Sequence, residues 1–154
     1  MKVVAFSITP HAVQVTVVTG SAEQFQVDFY EEWPAKSADR LADYQSMRKR
    51  VVERVSEWQP DAVCIAPFEP KSLQHGVQAA SFSTAELRGV VAEAARTACA
   101  NAAYRAGSSV TRTIGARKSA AYAKDEVFWN GHGMPKKYRD TALIAISYLR
   151  EHDQ

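Results

Sequence analysis

The residues of this chain that could do chemistry gather in its last third. Between positions 101 and 139 stand Arg105, Arg112, Arg117, Lys118, Lys124, Lys136, Lys137 and Arg139, against Asp125 and Glu126. Eight cations less two acids leave a surplus of six there, so the whole-chain charge of +2 places −4 on the remainder. A one-signed segment suits a polyanion, because each phosphate neutralised by Lys or Arg releases condensed counterions. The same segment holds Phe128 and Trp129 just ahead of Asn130-Gly131-His132-Gly133. An aromatic in a basic, glycine-bearing loop can stack on a nucleobase, and it can equally anchor that loop to a core. The candidate nucleic-acid contacts are Arg112, Arg117, Lys118, Lys124, Trp129, Lys136, Lys137 and Arg139. Lysines kept for solubility are the plainer reading of the same charge. Arg48-Lys49-Arg50 differs, because Glu53 and Glu57 follow at helical spacing and make it a solvated helix face.

Metal-ligand chemistry has fewer candidates. Asp140 opens the last amphipathic segment, where a carboxylate serves a helix dipole or a hard cation equally well. Glu69 follows Pro67-Phe68 in a loop and is open to reading as a relocated ligand. His75 and His132 stand far apart without a matched partner motif, which favours ordinary loop histidines. No Cys-x-x-Cys, Gly-x-Gly-x-x-Gly or phosphate-loop pattern occurs. Cys64 and Cys99 are too few for a disulfide scaffold and lie in apolar contexts, so buried free thiols in a reducing cytosol are expected. No window reaches the length of a membrane span, and Met1 to Phe6 runs directly into a strand pattern without a cleavage region. A cytoplasmic protein with no membrane partner is the expectation.

The elements that position these residues follow from periodicity. With 154 residues and 46% hydrophobic content, one domain spanning 1–154 can close a core. Val3–Ile8 reads as a strand, Ala12–Val18 as a second, and the alternation of Phe25, Val27 and Phe29 with polar residues as a third at a sheet edge. Thr19-Gly20-Ser21 is the turn between the last two. Ser37 is the expected N-cap of a helix reaching Trp58, with Leu41, Tyr44, Met47, Val51, Val55 and Trp58 as its apolar stripe. Asp61–Ala66 is an unbroken apolar run behind a proline, the signature of a strand buried on both faces. Pro67–Ser81 has no clear period and reads as a loop beyond that strand.

Ser83-Thr84-Ala85-Glu86 forms a capping box for a long helix to about Tyr104, whose Gly89 and alanines suggest close approach to the sheet. β-Branched Ser109–Ile114 is expected to be a parallel strand, Gly115–Lys124 a short helix, Phe128–Pro135 a loop, and Asp140–Glu151 the closing helix. The order βββαβαβα is an α/β fold: a mixed sheet, part antiparallel meander and part parallel, with helices on both faces.

This order resembles the ribonuclease H-like fold, and its details are similar to the Holliday-junction resolvase (RuvC-type) branch. Pro60-Asp61-Ala62-Val63-Cys64-Ile65 resembles the fourth strand of that family, the Gly89 helix its long helix, and Asp140-Thr141-Ala142-Leu143-Ile144-Ala145 the start of its last helix. The resemblance implies a nuclease site in which about four carboxylates hold two magnesium ions over a phosphodiester. At the matching positions this chain has Ser7 on the first strand and Ala66 on the fourth, with Glu69 as the nearest acid. In the last helix Asp140 matches, while Lys137 stands three places before it.

A hydroxyl, a methyl and an ammonium cannot replace three carboxylates around two divalent cations. The remnant catalytic set is therefore Ser7, Glu69 and Asp140, and no cofactor is expected. Three functions stay open: a nucleic-acid-associated module that has lost metal-dependent cleavage, a magnesium-dependent endonuclease with a rearranged site, and a structural subunit that binds a protein partner. A homodimer is compatible with each.

Overall fold

The computed structural model describes residues 1–68, 79–114 and 117–153, so the expectations for Glu69 and His75 lie outside the described residues. Strand β1 (Lys2–Thr9) carries Val4 and Phe6 on one face and Val3 and Ala5 on the other, all of them fully buried. A strand apolar on both faces needs cover on both, and that requirement places it in the middle of the sheet. It pairs antiparallel with β2 (Ala12–Gly20), Val4 opposite Val17 and Phe6 opposite Val15. It pairs parallel with β4 (Ala62–Ile65), Val4 opposite Val63. β3 (Phe25–Pro34) pairs antiparallel with the far side of β2, and its exposed alternate residues mark it as an edge. β5 (Ala102–Tyr104) closes the other side, giving the order β3-β2-β1-β4-β5. Gly20 has φ of +111°, and a side chain there would run into the backbone of Gln24, so this turn needs glycine.

Helices α1 (Arg40–Trp58) and α2 (Ala79–Ala98) cover one face of the sheet, with Met47, Val51, Val55, Leu87, Val91, Ala94 and Ala95 against it. Helix α6 (Lys136–His152) lies on the other face, flanked by α3 (Gly107–Ile114), α4 (Ser119–Ala123) and α5 (Glu126–Trp129). Ala142, Leu143, Ile146 and Leu149 face inward from α6 as expected. No described helix is long and apolar enough to cross a membrane.

The local departures have identifiable causes. Helix α1 is capped by Asp39, whose carboxylate accepts from the Ala42 N–H at 3.0 Å; Ser37 lies outside the helix and donates its hydroxyl to the Asp39 carbonyl. Leu41 is 73% exposed, because the stripe that packs begins a turn later. Helix α2 starts before the expected capping box, leaving Thr84 inside it with its hydroxyl on the Ala80 carbonyl. It also ends six residues before Tyr104, since 102–104 are drawn into the parallel ladder with β4, Val63 opposite Ala102. Pairing to a buried strand outweighs the helix propensity of two alanines. Gly89 is exposed, and a Cβ there would meet nothing within 4 Å, so no close approach explains it.

Ser109–Ile114 is helical rather than a strand: Val110 and Ile114, four apart, are its buried residues. Thr113 satisfies its hydroxyl on the Ser109 carbonyl at 2.6 Å, which makes a β-branched residue tolerable there. Helix α6 begins at Lys136, so Asp140 sits in its second turn rather than at its start. Of the two thiols, Cys64 is buried and Cys99 half-buried.

Candidate functional site

Ser7 near the end of β1, Ala66 just past β4 and Asp140 on α6 face one open cavity of about 690 Å³. Gly107, Ser108 and Thr111 of α3 and Ser119 of α4 complete its polar wall. The parallel pairing of β1 with β4 puts their carboxyl ends side by side, and packing of α6 across that face brings Asp140 to them. Two of the three candidate catalytic residues, Ser7 and Asp140, therefore converge, and Ala66 stands beside them.

The donor set is poor for a cation. The wall offers hydroxyls, a methyl and the single carboxylate of Asp140. Among the described residues no cluster of three His, Cys, Asp or Glu side chains could hold a metal ion. Two magnesium ions require several hard anionic oxygens, and the described residues do not supply them.

The Ser7 hydroxyl of the cavity wall is instead bound into a set of polar side chains. Thr141, fully buried, has its hydroxyl 2.9 Å from Ser7 Oγ and 3.2 Å from Gln14 Oε1. The Gln14 amide nitrogen donates to Glu32 Oε2 at 3.2 Å, which turns its oxygen toward Thr141. An amide oxygen can only accept, and Thr141 has one proton. Thr141 therefore donates to Gln14, and Ser7 donates to Thr141. The chain ends where Glu32 Oε1 meets Lys137 Nζ at 3.0 Å. The Lys137 contact, followed by Gln14, holds the Glu32 carboxyl below its ordinary value, while Glu32 raises the Lys137 ammonium. Ser7 and Lys137 are thus the two ends of one directed hydrogen-bond chain.

The basic segment divides. Arg139 is 6% exposed and donates Nε to the Met134 carbonyl, Nη1 to the Ala123 carbonyl, and both Nη groups to Glu126 at 3.1 and 3.0 Å. Arg139 first, then Lys136 at 3.2 Å, pulls the Glu126 carboxyl down to about 2. Arg117 pairs with Asp125 at 2.8 Å and lies over the Tyr122 ring. Trp129 is 3% exposed, donates its indole N–H to the Tyr122 carbonyl at 2.9 Å, and packs against Phe25 and Phe128. Arg139 and Trp129, expected as nucleic-acid contacts, are enclosed in this structure and serve as structural anchors. Arg112, Lys118 and Lys124 are exposed and make no ion pair among the described residues.

Sequence reasoning missed Gln14, Glu32 and Thr141, whose partners lie up to 134 residues away. It also missed Arg88. This half-buried arginine donates Nε to the Ala66 carbonyl at 3.0 Å and stacks its guanidinium 3.8 Å from the centre of the Tyr104 ring. Its signal in the sequence was slight: a cation between the inward-facing Leu87 and the apolar run Val90-Val91.

No protein-family profile and no curated protein matches the sequence. Solved structures do match. Thermus thermophilus RuvC in complex with a Holliday junction substrate superposes with a TM-score of 0.77 at 17% identity, covering 99% of this chain and 96% of that one. Fowlpox virus resolvase, solved with Holliday junction DNA, gives 0.54 at 10% identity over all of both chains. The yeast mitochondrial Holliday junction resolvase gives 0.57 at 10% identity, over 96% of this chain and 77% of that one. Sheet order, the crossing of α6 and these superpositions agree: the chain has the ribonuclease H-like fold of the RuvC-type Holliday junction resolvases.

Proposed function

We propose that this chain is a RuvC-like module that binds nucleic acid and does not carry out two-metal phosphodiester cleavage. The observation that carries the reading is the directed chain from Ser7 through Thr141, Gln14 and Glu32 to Lys137. It engages the Ser7 hydroxyl of the cavity wall and ends on the Lys137 ammonium, so neither position offers a free anionic oxygen to a divalent cation. Arg112 on α3, next to Thr111 of the cavity wall, and Lys118, next to Ser119, supply unpaired positive charge near its mouth, with Lys124 on the same segment. The fold's occurrence in two proteins solved with junction DNA supports a nucleic-acid ligand.

Calorimetric titration with magnesium tests the loss of the metal site. The expected result is no stoichiometric binding by the native chain, and acquisition of binding on combining Ser7→Asp, Ala66→Glu and Lys137→Asp, which restores the family's carboxylates. A tight site in the native chain, or cleavage of branched DNA abolished by Asp140→Asn, would overturn the proposal in favour of a rearranged nuclease. For binding, neutralising Arg112, Lys118 and Lys124 together should flatten the salt dependence of DNA affinity, by about 0.9 for each duplex phosphate no longer neutralised.

A further inference from the structure

Beside the main cavity, and sharing Pro67 and Gly107 with it, lies a second recess of about 420 Å³ that also contains Phe68, Arg88, Tyr104 and Arg105. Its wall is a stacked pair. The Arg88 guanidinium sits 3.8 Å from the Tyr104 ring centre, and its Nε–H is tied to the Ala66 carbonyl at 3.0 Å. These two interactions fix the plane of the guanidinium while leaving both Nη groups without a protein partner among the described residues. Tyr104 closes β5 at the sheet edge and is 50% exposed, with Arg88 over one ring face.

A surface residue with no task does not need this arrangement. The charge is partly withdrawn from water, which depresses the Arg88 pKa against an opposing pull from Tyr104, and no carboxylate among the described residues pairs with it. A guanidinium held in one plane presents parallel N–H donors matched to a phosphate. An exposed aromatic face takes a nucleobase, since every base has a stacking surface. The two are adjacent, as phosphate and base are within one nucleotide. We propose that Arg88 and Tyr104 form a docking point for one unpaired nucleotide, phosphate on the guanidinium and base on the other side of the ring. The proposal rests on the nucleic-acid reading above and adds to it a substrate class: strands with an unstacked nucleotide at the sheet end. Intact duplex keeps its bases in the stack and cannot use the ring.

Fluorescence anisotropy with labelled oligothymidine of about 20 nucleotides, long enough for one domain to cover, and with a duplex of the same length, tests this. Tyr104→Leu should weaken single-strand binding about 5- to 150-fold, the weight of one stacked base, and leave the duplex unchanged. Tyr104→Phe, which keeps the ring, should bind as the native chain does. Arg88→Lys should weaken the single strand yet keep the salt slope, because the charge survives and the fork does not. If Tyr104→Leu fails to fold, photocrosslinking of the native chain to a strand carrying a photoreactive uracil gives the answer: adducts on Tyr104 support the docking point, and adducts elsewhere overturn it. Unchanged single-strand binding in Tyr104→Leu, with weakened binding on neutralising Arg112, Lys118 and Lys124, overturns the docking point and leaves the nucleic-acid reading intact. Absence of binding by the native chain to either probe overturns both.

Discussion

The two faces of the sheet are built on different terms. Under α1 and α2 the buried side chains are apolar: Val4, Phe6, Val13, Val15, Trp33, Val51, Val55, Leu87 and Val91. Charge on that side stays at the surface, as Arg48 with Glu93 at 2.8 Å, or Arg50 and Arg54 lying over the rings of Trp33 and Trp58. Under α6 the core also takes in Thr141, Ser147 and Arg139, and strand alternation from Gln14 puts buried Thr16 on the same side. Buried polar groups cost free energy unless each finds a partner. The core of the first face is therefore held by apolar packing, while the second spends part of its volume on the hydrogen bonds of Thr141, Ser147 and Arg139.

Substitutions can break or sharpen that contrast. The largest effect belongs to the apolar face. Trp33→Ala, removing a fully buried ring stacked near Phe6 and Trp58, should destabilise by about 3–5 kcal/mol in urea unfolding. Its counterpart Leu143→Ala under α6 should cost about 2–5 kcal/mol. A much smaller loss there would mean that the polar side is loosely packed. Arg139→Gln should cost about 2 kcal/mol, because the Met134 and Ala123 carbonyls and Glu126 lose charge-assisted donors together. Thr141→Val keeps the shape and cuts the chain between Ser7 and Gln14, and should cost about 1 kcal/mol. A gain in stability from that change would show that the chain is retained for something other than folding.

The smallest effect is in pH. The Glu126 carboxyl lies at about 2 in the folded chain against an ordinary 4.5, so its contribution is complete above about 4.5 and drains away as pH falls toward 2. Arg139→Gln removes the larger cause of that shift. The gap in thermal stability between variant and native chain should therefore narrow on acidification through this window, and a gap that stays constant would mean the ion pair contributes nothing measurable.

How much of this was legible in the residues follows the same divide. The meander and α1 were readable because valine and phenylalanine alternate, or recur at helical steps, over long runs. β5 was not, since three residues, Ala-Ala-Tyr, carry no period and are a strand only by virtue of β4 beside them. In α3 the β-branched composition pointed to a strand, while the spacing of Val110 and Ile114 already fitted a helix. At the site, Ser7, Ala66 and Asp140 came together through a resemblance, not through any local pattern. Thr141, Gln14 and Glu32 were invisible because a hydrogen bond between residues 127 apart leaves no mark on the neighbours of either. Arg139 and Trp129 looked like surface chemistry because a linear count of charge does not register that a side chain is enclosed.

The place of β1 in the middle of the sheet bears on how the chain is made. Its partner on one side, β2, follows within a few residues, but its partner on the other, β4, is 59 residues further on at the Val3–Ala62 pairing. During synthesis the β1–β2–β3 meander can close while α1 and β4 are still inside the ribosome. For that interval Val3 to Phe6 presents a bare hydrophobic edge with unpaired backbone groups, the feature most apt to recruit another nascent chain. Slow translation of the stretch that follows position 65, which pushes α1 and β4 out of the ribosome, would lengthen the exposure. The yield of soluble protein should therefore respond more to chaperone supply and elongation rate over that stretch than to the final stability of the fold.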